Sequence, residues 1–142
     1  MPVDLTTRTF NDEQMIIGLL VQDFDGGAFT NSTMAELFYD ENGNDSLALS
    51  FNYNEISQTW EPTFRLEGTY NAENLLASNS IFVWDSNTLE WLPARETEFF
   101  YENQELSKTL ITTYFIGGST SVTQDMYFRD ADNELDLSLI HI

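Results

Sequence analysis

The stretches FNYNEISQTWEP (residues 51–62) and FVWDSNTLEWLP (residues 82–93) decide the fold, because they repeat one pattern of aromatic residues and a proline at a spacing of 31 residues. The alignment extends outward in these columns: Phe51 with Phe82, Tyr53 with Trp84, Pro62 with Pro93, Phe29 with Trp60 and Trp91, Tyr39 with Tyr70 and Tyr101, and Glu36 with Glu67 and Glu98. Internal repeats of this length indicate an array of small structural units. We predict a single domain over 1–142, built from repeat units near 10–38, 39–69, 70–100, 101–127 and 128–142.

Each copy alternates with a period of two residues, which indicates strands and not helices. In SLALSFNY (46–53), Leu47, Leu49 and Phe51 point to one side, and small polar residues point to the other. Apolar side chains also occupy alternate positions from 60 to 70. We therefore predict two half-buried strands in each copy and no helix.

Turn-forming residues separate the predicted strands. Asn, Asp and Gly adopt the left-handed conformations that tight hairpins need, and they follow Tyr39 in the segment YDENGND. A parallel solenoid would stack the repeated glutamates about 4.8 Å apart, whereas an antiparallel meander separates them by roughly 9.5 Å. We predict an all-β, antiparallel up-and-down meander of about ten strands, near 5–10, 14–24, 29–39, 45–53, 60–70, 76–84, 91–101, 106–116, 120–128 and 135–142.

The apolar residues of the predicted sheet must be shielded from water. They lie on both faces in places, as in MIIGLLV (15–21) and around Ile81 and Val83. A bare aromatic face would aggregate, so we expect a sheet that curls into a barrel-like form, packs against another sheet or packs against another copy. The aromatic columns share their periodicity with Leu49 and Leu66, which predicts that the aromatic residues form the core.

The charge of the chain excludes several classes of partner. Twenty-four acidic residues accompany five basic ones, so the net charge is -19. This charge repels nucleic-acid phosphates and anionic lipid surfaces. No apolar run approaches the roughly 18 residues of a membrane helix, and no cysteine is present for disulfides or thiolate chemistry. We expect an acidic protein with no nucleic-acid partner and no membrane insertion.

The turn YDENGN, with Tyr39, Asp40 and Gly43, and the stretch WDSNTLEWLP (84–93) resemble a known kind of repeat. They are similar to the tyrosine-aspartate-like β-hairpin repeats of secreted Bacteroidota surface proteins of the type IX secretion cargo kind. The resemblance covers about residues 36–103, and the aspartate of the turn is replaced in the later copies. It implies an extracellular or cell-surface location, a structural or adhesive role, and no catalytic residues to carry over.

The sequence lacks the usual catalytic constellations. His141 is the only histidine and lies next to the last residue of the sequence, which excludes a nucleophilic triad built on histidine. No phosphate loop, dinucleotide fingerprint or zinc spacing occurs. Glu96 and Glu98 have the chemistry of glycosidase carboxylates, but repeated acids in repeated surroundings indicate a solvated strand face. We predict that the protein is not an enzyme.

Two acidic turns are candidate metal sites. They place oxygen donors at alternate positions, as a hard cation needs: Asp40, Asn42, Asn44 and Asp45 in one turn, and Asp130, Asp132 and Glu134 in the other. Neither turn has the full twelve-residue calcium loop with its terminal glutamate. The competing interpretation is a pair of plain hairpin turns. We predict no obligatory cofactor, with Ca²⁺ as the candidate ligand.

Four aromatic residues are candidates for ligand binding: Trp60, Trp91, Tyr70 and Tyr101. On an exposed face they would stack on sugar rings. Inside a closed barrel they would line a cavity for a small apolar molecule.

Together these patterns predict a non-enzymatic extracellular structural or adhesive repeat module. We expect it to self-associate as an oligomer with further copies or with adjoining repeats. The alternative is a ligand-binding module, which would bind carbohydrate such as a cell-surface glycan, or a small apolar ligand.

Overall fold

The computed structural model describes residues 4–129 and 135–136, and these residues contain strands and turns but no helix. Nine strands form one sheet whose order follows the chain. They are β1 (Asp4–Phe10), β2 (Ile16–Phe24), β3 (Phe29–Tyr39), β4 (Asp45–Asn54), β5 (Thr59–Tyr70), β6 (Leu76–Asp85), β7 (Glu90–Glu102), β8 (Glu105–Tyr114) and β9 (Thr120–Met126). Two short strands, β10 (Phe128–Arg129) and β11 (Leu135–Asp136), pair with each other in a separate sheet.

The predicted all-β antiparallel meander is confirmed, and its strand positions agree closely with the sequence pattern. The sheet has nine strands where about ten were expected. Only Leu135–Asp136 of the last predicted strand, 135–142, falls within the described residues. Among those residues no helix has the length and apolar character needed to span a membrane.

The prediction that the sheet curls into a barrel-like form is wrong. The strand order runs from β1 to β9, and among the described strands no pairing returns from β9 to β1. Closure would require this last pairing, with strand tilt and stagger to match. The expectation rested on apolar residues that occupy both faces, but these residues stay partly exposed and are not covered by closure.

The described residues group into two compact units. The first comprises 4–66 and 83–91, and the second comprises 67–82, 92–129 and 135–136. The β1 to β4 strands belong to the first unit and β8 and β9 to the second.

In the first unit, the strand register places an acid on the apolar face. Met34 of β3 lies opposite Leu20 of β2 and Phe51 of β4, and two residues further along β3 Glu36 lies opposite Leu49. Glu36 is half-buried and has apolar neighbours on this face, and the expectation that the repeated glutamates mark a solvated strand face stays a prediction. In the second unit Glu98 likewise lies opposite Leu110.

A β-bulge sets which residues of β3 share that face. Val21 and Gln22 are neighbours on β2, yet they lie opposite Thr33 and Asn31, so Ser32 is an extra residue on β3. Because one extra residue reverses the alternation, Phe29 comes to lie on the same face as Glu36.

The sheet has no fully buried apolar residue among the described residues. The only buried residue there is Thr109, which is 4% exposed. Strand aromatics such as Trp60 and Trp91 are half-buried. The prediction that the aromatic columns form a core is wrong, because these side chains are shielded by neighbours on their own face of the sheet and not from all sides.

Candidate functional site

The first candidate metal site is a hairpin turn whose carboxylate already accepts several hydrogen bonds. One oxygen of Asp40 accepts bonds from the backbone N–H groups of Asn42, at 2.8 Å, and Asn44, at 2.9 Å. The other oxygen accepts a bond at 3.0 Å from the side-chain amide of Asn44. These bonds, first that of the Asn44 side chain, lower the pKa of Asp40. The carboxylate therefore stabilises the turn that joins β3 to β4.

The other acid of this candidate site lies on a strand. Asp45 begins β4 and lies opposite Tyr39. No group of three or more acidic, histidine or cysteine side chains within the described part of the chain has a metal-binding arrangement. The second candidate turn, with Asp130, Asp132 and Glu134, lies outside the described residues.

The two tryptophan candidates each form an aromatic pair across a hairpin of the first unit. The ring of Trp60 meets that of Tyr53 edge to face, with centroids 5.0 Å apart and planes at 62°. The ring of Trp91 meets that of Trp84 in the same way, at 5.1 Å and 67°. Such pairs stabilise a sheet beyond the area that they bury. All four rings are half-buried, so part of each ring surface faces solvent.

The tyrosine candidates have a structural contact of their own. The hydroxyl of Tyr101, at the end of β7, donates a hydrogen bond of 2.8 Å to the carbonyl of Leu76, the first residue of β6. In the first unit, Tyr39 at the end of β3 donates a bond of 2.7 Å to the carbonyl of Ile16, the first residue of β2. Tyr70 ends β5 and is half-buried.

The four aromatic candidates are therefore not brought into one site. Trp60 lies near the start of β5 and Tyr70 at its end, while Trp91 lies near the start of β7 and Tyr101 near its end. The structure distributes them along two strands.

Tyr101 does line a cleft in the second unit. The cleft has a volume of about 730 Å³, and its walls come from the turn after β5 and the turn between β7 and β8. The lining includes aromatic rings and side-chain amides, among them Asn71, Phe100, Tyr101, Asn103 and Gln104. Phe100 is 37% exposed, and the ammonium group of Lys108 lies 3.9 Å from its ring centroid. The cleft was not predicted, because it needs two turns that are distant in sequence.

A smaller groove lies on the first unit. It has a volume of about 400 Å³, and its lining includes Gly18, Leu20, Met34 and Trp60. A Cβ added to Gly18 would meet Thr9 at 3.5 Å, an ordinary contact distance. The missing side chain of Gly18 therefore contributes to the space.

Several hairpin turns expose apolar side chains that the sequence analysis did not single out. In the first unit, Ile56 is 98% exposed in the turn after β4, and Leu89 is 69% exposed in the turn before β7. In the second unit, Ile116 is fully exposed in the turn between β8 and β9. These exposed side chains could have been predicted from the sequence, because each is an apolar residue within a turn segment.

The acid pair considered for glycoside chemistry includes one hydrogen-bonded member. The hydroxyl of Tyr114 donates a bond of 3.3 Å to Glu96. Loss of solvent, together with the charge of Glu96, raises the pKa of Tyr114. Glu96 and Glu98 lie two residues apart on β7, opposite Thr112 and Leu110. These two acids thus have different neighbours on β8.

Comparison with known proteins bears on the fold. No protein-family model matches the sequence, and no curated protein matches it. A protein of unknown function from Bacteroides fragilis has a similar structure, with a TM-score of 0.65 and 12% identity over 85% of this chain and 88% of that one. A DUF3836 family protein from Bacteroides vulgatus matches with a TM-score of 0.56 and 16% identity over 64% of this chain and 90% of its own. At these identities the likeness shows that the fold occurs in other proteins, and this chain shares that fold.

Proposed function

We propose that the protein is a non-enzymatic extracellular structural or adhesive module that associates with further copies of itself or with adjoining repeats. The observation that supports this proposal is the lack of any fully buried apolar side chain among the described residues. An apolar sheet face that stays half-exposed is typical of an interaction surface. Association with another chain would remove that surface from water, which is favourable by roughly 25 cal/mol for each Å² of apolar area.

We further propose that the sheet is built from the 31-residue repeats. Equivalent positions make equivalent contacts: Asn11, Asp40 and Asn71 each accept bonds from the backbone N–H groups two and four residues later. The Tyr39 and Tyr101 hydroxyls bind the first carbonyl of the preceding strand. Units that cannot bury an apolar face alone are expected to need neighbours.

The exposed turns support the adhesive form of this proposal. Ile56 and Leu89 in the first unit present branched apolar side chains to solvent at hairpin tips. Such side chains contribute little to the stability of a monomer and are available to contact another surface. The partner would be a further copy or a cell-surface component.

Location and chemistry complete the proposal. The resemblance of the YDENGN and WDSNTLEWLP segments to secreted repeat proteins supports an extracellular or cell-surface location. The net charge of -19 suits a protein that stays dissolved until it meets its partner. Neither nucleic acid nor membrane is among the proposed partners.

Light scattering over a concentration series tests the proposed self-association. We expect the average mass to rise above 16.3 kDa as concentration increases in physiological salt. A mass that stays at 16.3 kDa at every concentration would refute self-association.

The second candidate function is carbohydrate binding, and the cleft of the second unit favours it. Its exposed Phe100 ring and the amides of Asn103 and Gln104 are the groups that bind the apolar faces and hydroxyls of sugars. Native mass spectrometry of a strictly monomeric protein with bound oligosaccharide would favour this function over self-association. The test variant is Phe100→Ala, which should lose the bound sugar. The matched control is Phe64→Ala, which removes a ring of β5 that is 55% exposed and does not line the cleft, and it should keep the sugar.

Calcium binding at the turn with Asp40 is the alternative to a plain hairpin turn, and we propose the plain turn. We expect no change in melting temperature between millimolar Ca²⁺ and chelator, because the turn already engages the Asp40 carboxylate. A rise of several degrees with Ca²⁺ would instead establish a calcium site by linkage.

A further inference from the structure

Strand β1 (Asp4–Phe10) is the outer strand at one side of the described sheet. It pairs with β2 on one side only, and all seven of its residues are exposed. An outer strand presents a row of backbone N–H and C=O groups that another extended chain can pair with.

The β1 strand has only part of the usual protection of an outer strand. Natural sheets protect such strands with charged side chains, especially lysine, with proline or with a bulge. In β1 the register irregularity lies at the end of the strand, between Thr9 and Phe10. The sequence DLTTRTF has no lysine or proline, and its register with β2 is regular from Asp4 to Thr9. Its threonines and Phe10 favour extended structure. The strand is therefore well suited to accept another strand.

The only two charged residues of β1 are placed symmetrically about its centre. Asp4 and Arg8 each lie two residues from Thr6. In an antiparallel pair of two β1 strands centred on Thr6, Asp4 of each copy lies opposite Arg8 of the other. This arrangement gives two opposite-charge pairs around a Thr6–Thr6 pair, and all of these are favourable cross-strand combinations.

The faces of β1 also agree with this pairing. Thr6 lies opposite Val21 and Arg8 opposite Leu19, so Asp4, Thr6 and Arg8 share one face. Leu5 and Thr7 share the other face and would lie opposite each other in the pair. Between the two β1 strands no like charges lie opposite each other. Within each copy Asp4 lies opposite Asp23 of β2, so Arg8 of the other copy would join two acids on that face.

We propose that two copies of the chain join through β1 as an antiparallel pair centred on Thr6. The dimer has two-fold symmetry, and a self-complementary surface of this kind is the commonest type of interface in homo-oligomers. The sheet then continues from one copy into the other. This inference rests on the proposed function, because it names the surface through which copies associate.

Charge supports a second copy bound by β1 in this register. Each copy carries a net charge of -19, so association at most surfaces brings like charges together. Arg8 is one of five basic residues of the chain. The register centred on Thr6 places this arginine of each copy beside the acid of the other.

Cysteine cross-linking tests the register. The chain has no cysteine, so Thr6→Cys introduces a single thiol. Opposite residues of an antiparallel pair have Cα atoms about 4.5–5.5 Å apart, within the range of about 4.4–6.8 Å for a disulfide. Under mild oxidation with oxidised glutathione we expect disulfide-linked dimers of Thr6→Cys. The control Ser121→Cys, exposed on β9, should stay monomeric on a non-reducing gel.

Charge exchange tests the ion pairs without a covalent bond. Arg8→Asp turns both pairs into acid against acid, and Asp4→Arg turns both into base against base. We expect each single variant to dimerise roughly tenfold or more weakly, because two cross-strand attractions become repulsions. The double variant Asp4→Arg/Arg8→Asp should dimerise like the unaltered chain, and a mixture of the two single variants should form heterodimers. Circular dichroism will verify that each variant is folded.

The outcomes separate the inference from the proposed function. If the unaltered chain associates but Arg8→Asp associates equally well and Thr6→Cys does not cross-link, copies join elsewhere, and only the inference is overturned. If the unaltered chain is monomeric at all concentrations, both the inference and the proposed self-association are overturned. Restored dimerisation of the double variant, with Thr6→Cys cross-linking, supports both.

Discussion

The hydroxyl of Tyr101 offers a sharp test of how the sheet is held together. Tyr101→Phe removes the hydrogen bond of 2.8 Å to the carbonyl of Leu76 and keeps the ring. Such a bond contributes about 0.5–1.5 kcal/mol, and the carbonyl, which is partly buried, loses its hydroxyl partner. We expect the free energy of unfolding to fall by about 1 kcal/mol, which lowers the melting temperature by about 3–4 °C for a chain of this size.

Urea denaturation followed by circular dichroism measures this loss, with matched variants in the same chain. Tyr39→Phe should cost about the same, since its hydroxyl bond to the carbonyl of Ile16 is equivalent. The control is Tyr53→Phe, because the structure records a ring contact of Tyr53 with Trp60 but no hydrogen bond of its hydroxyl among the described residues. If Tyr101→Phe and Tyr53→Phe have the same stability, the tyrosine hydroxyls do not support the strands, and the reasoning fails.

Three further changes probe the turns and the aromatic pairs. Gly43→Ala should reduce the free energy of unfolding by about 1 kcal/mol in urea titrations, because φ at Gly43 is +82° and alanine is strained in this left-handed conformation. The added Cβ would cause no clash, since its nearest atom is 3.9 Å away, so the loss would come from the backbone alone. Unchanged stability would contradict this reasoning. The lowered pKa values of Asp40 and Asp85 predict stability that is fully present above their ordinary value of 3.8 and is lost as pH falls through the lower folded-state values. Asp40→Asn, which keeps an oxygen acceptor but does not titrate, should flatten this loss in melts between pH 2 and 5, and an equally steep loss would count against the turn bonds. A double-mutant cycle with Trp84→Leu and Trp91→Leu should give a coupling energy of about 0.5–1.5 kcal/mol in urea titrations, and additive effects would show that the edge-to-face contact is unimportant.

Local patterns in the sequence predicted the strands and turns well. The predicted strand at 29–39 is β3, and the prediction at 45–53 differs from β4 by one residue. Alternation and turn residues act over a few neighbouring positions, so they are readable from the chain itself. The Asp40 turn shows this, because its bonds join residues only two and four positions apart.

Burial and the candidate sites depended on long-range geometry and were harder to predict. The extra residue Ser32 changes which side chains of β3 share a face. No local pattern in the sequence predicts this bulge. The extra residue places Phe29 on the same face as Glu36, whereas regular alternation would place the two on opposite faces. The cleft with Phe100 requires two turns to meet, and the half-buried state of Trp60 depends on its neighbours on the same face, such as Tyr53 of β4. These properties follow from the arrangement of strands and not from their individual sequences.

Acrylamide quenching of tryptophan fluorescence tests the open sheet most directly. The chain has three tryptophans, Trp60, Trp84 and Trp91, all half-buried, and acrylamide is neutral, so the acidic charge does not repel it. At a concentration where light scattering reports a monomer, we expect quenching of the folded protein to be weaker than that of the urea-unfolded chain but clearly stronger than that of buried tryptophans. A folded monomer that resists quenching would place the tryptophans in a closed core. This result would contradict an open sheet whose apolar faces are partly exposed to solvent.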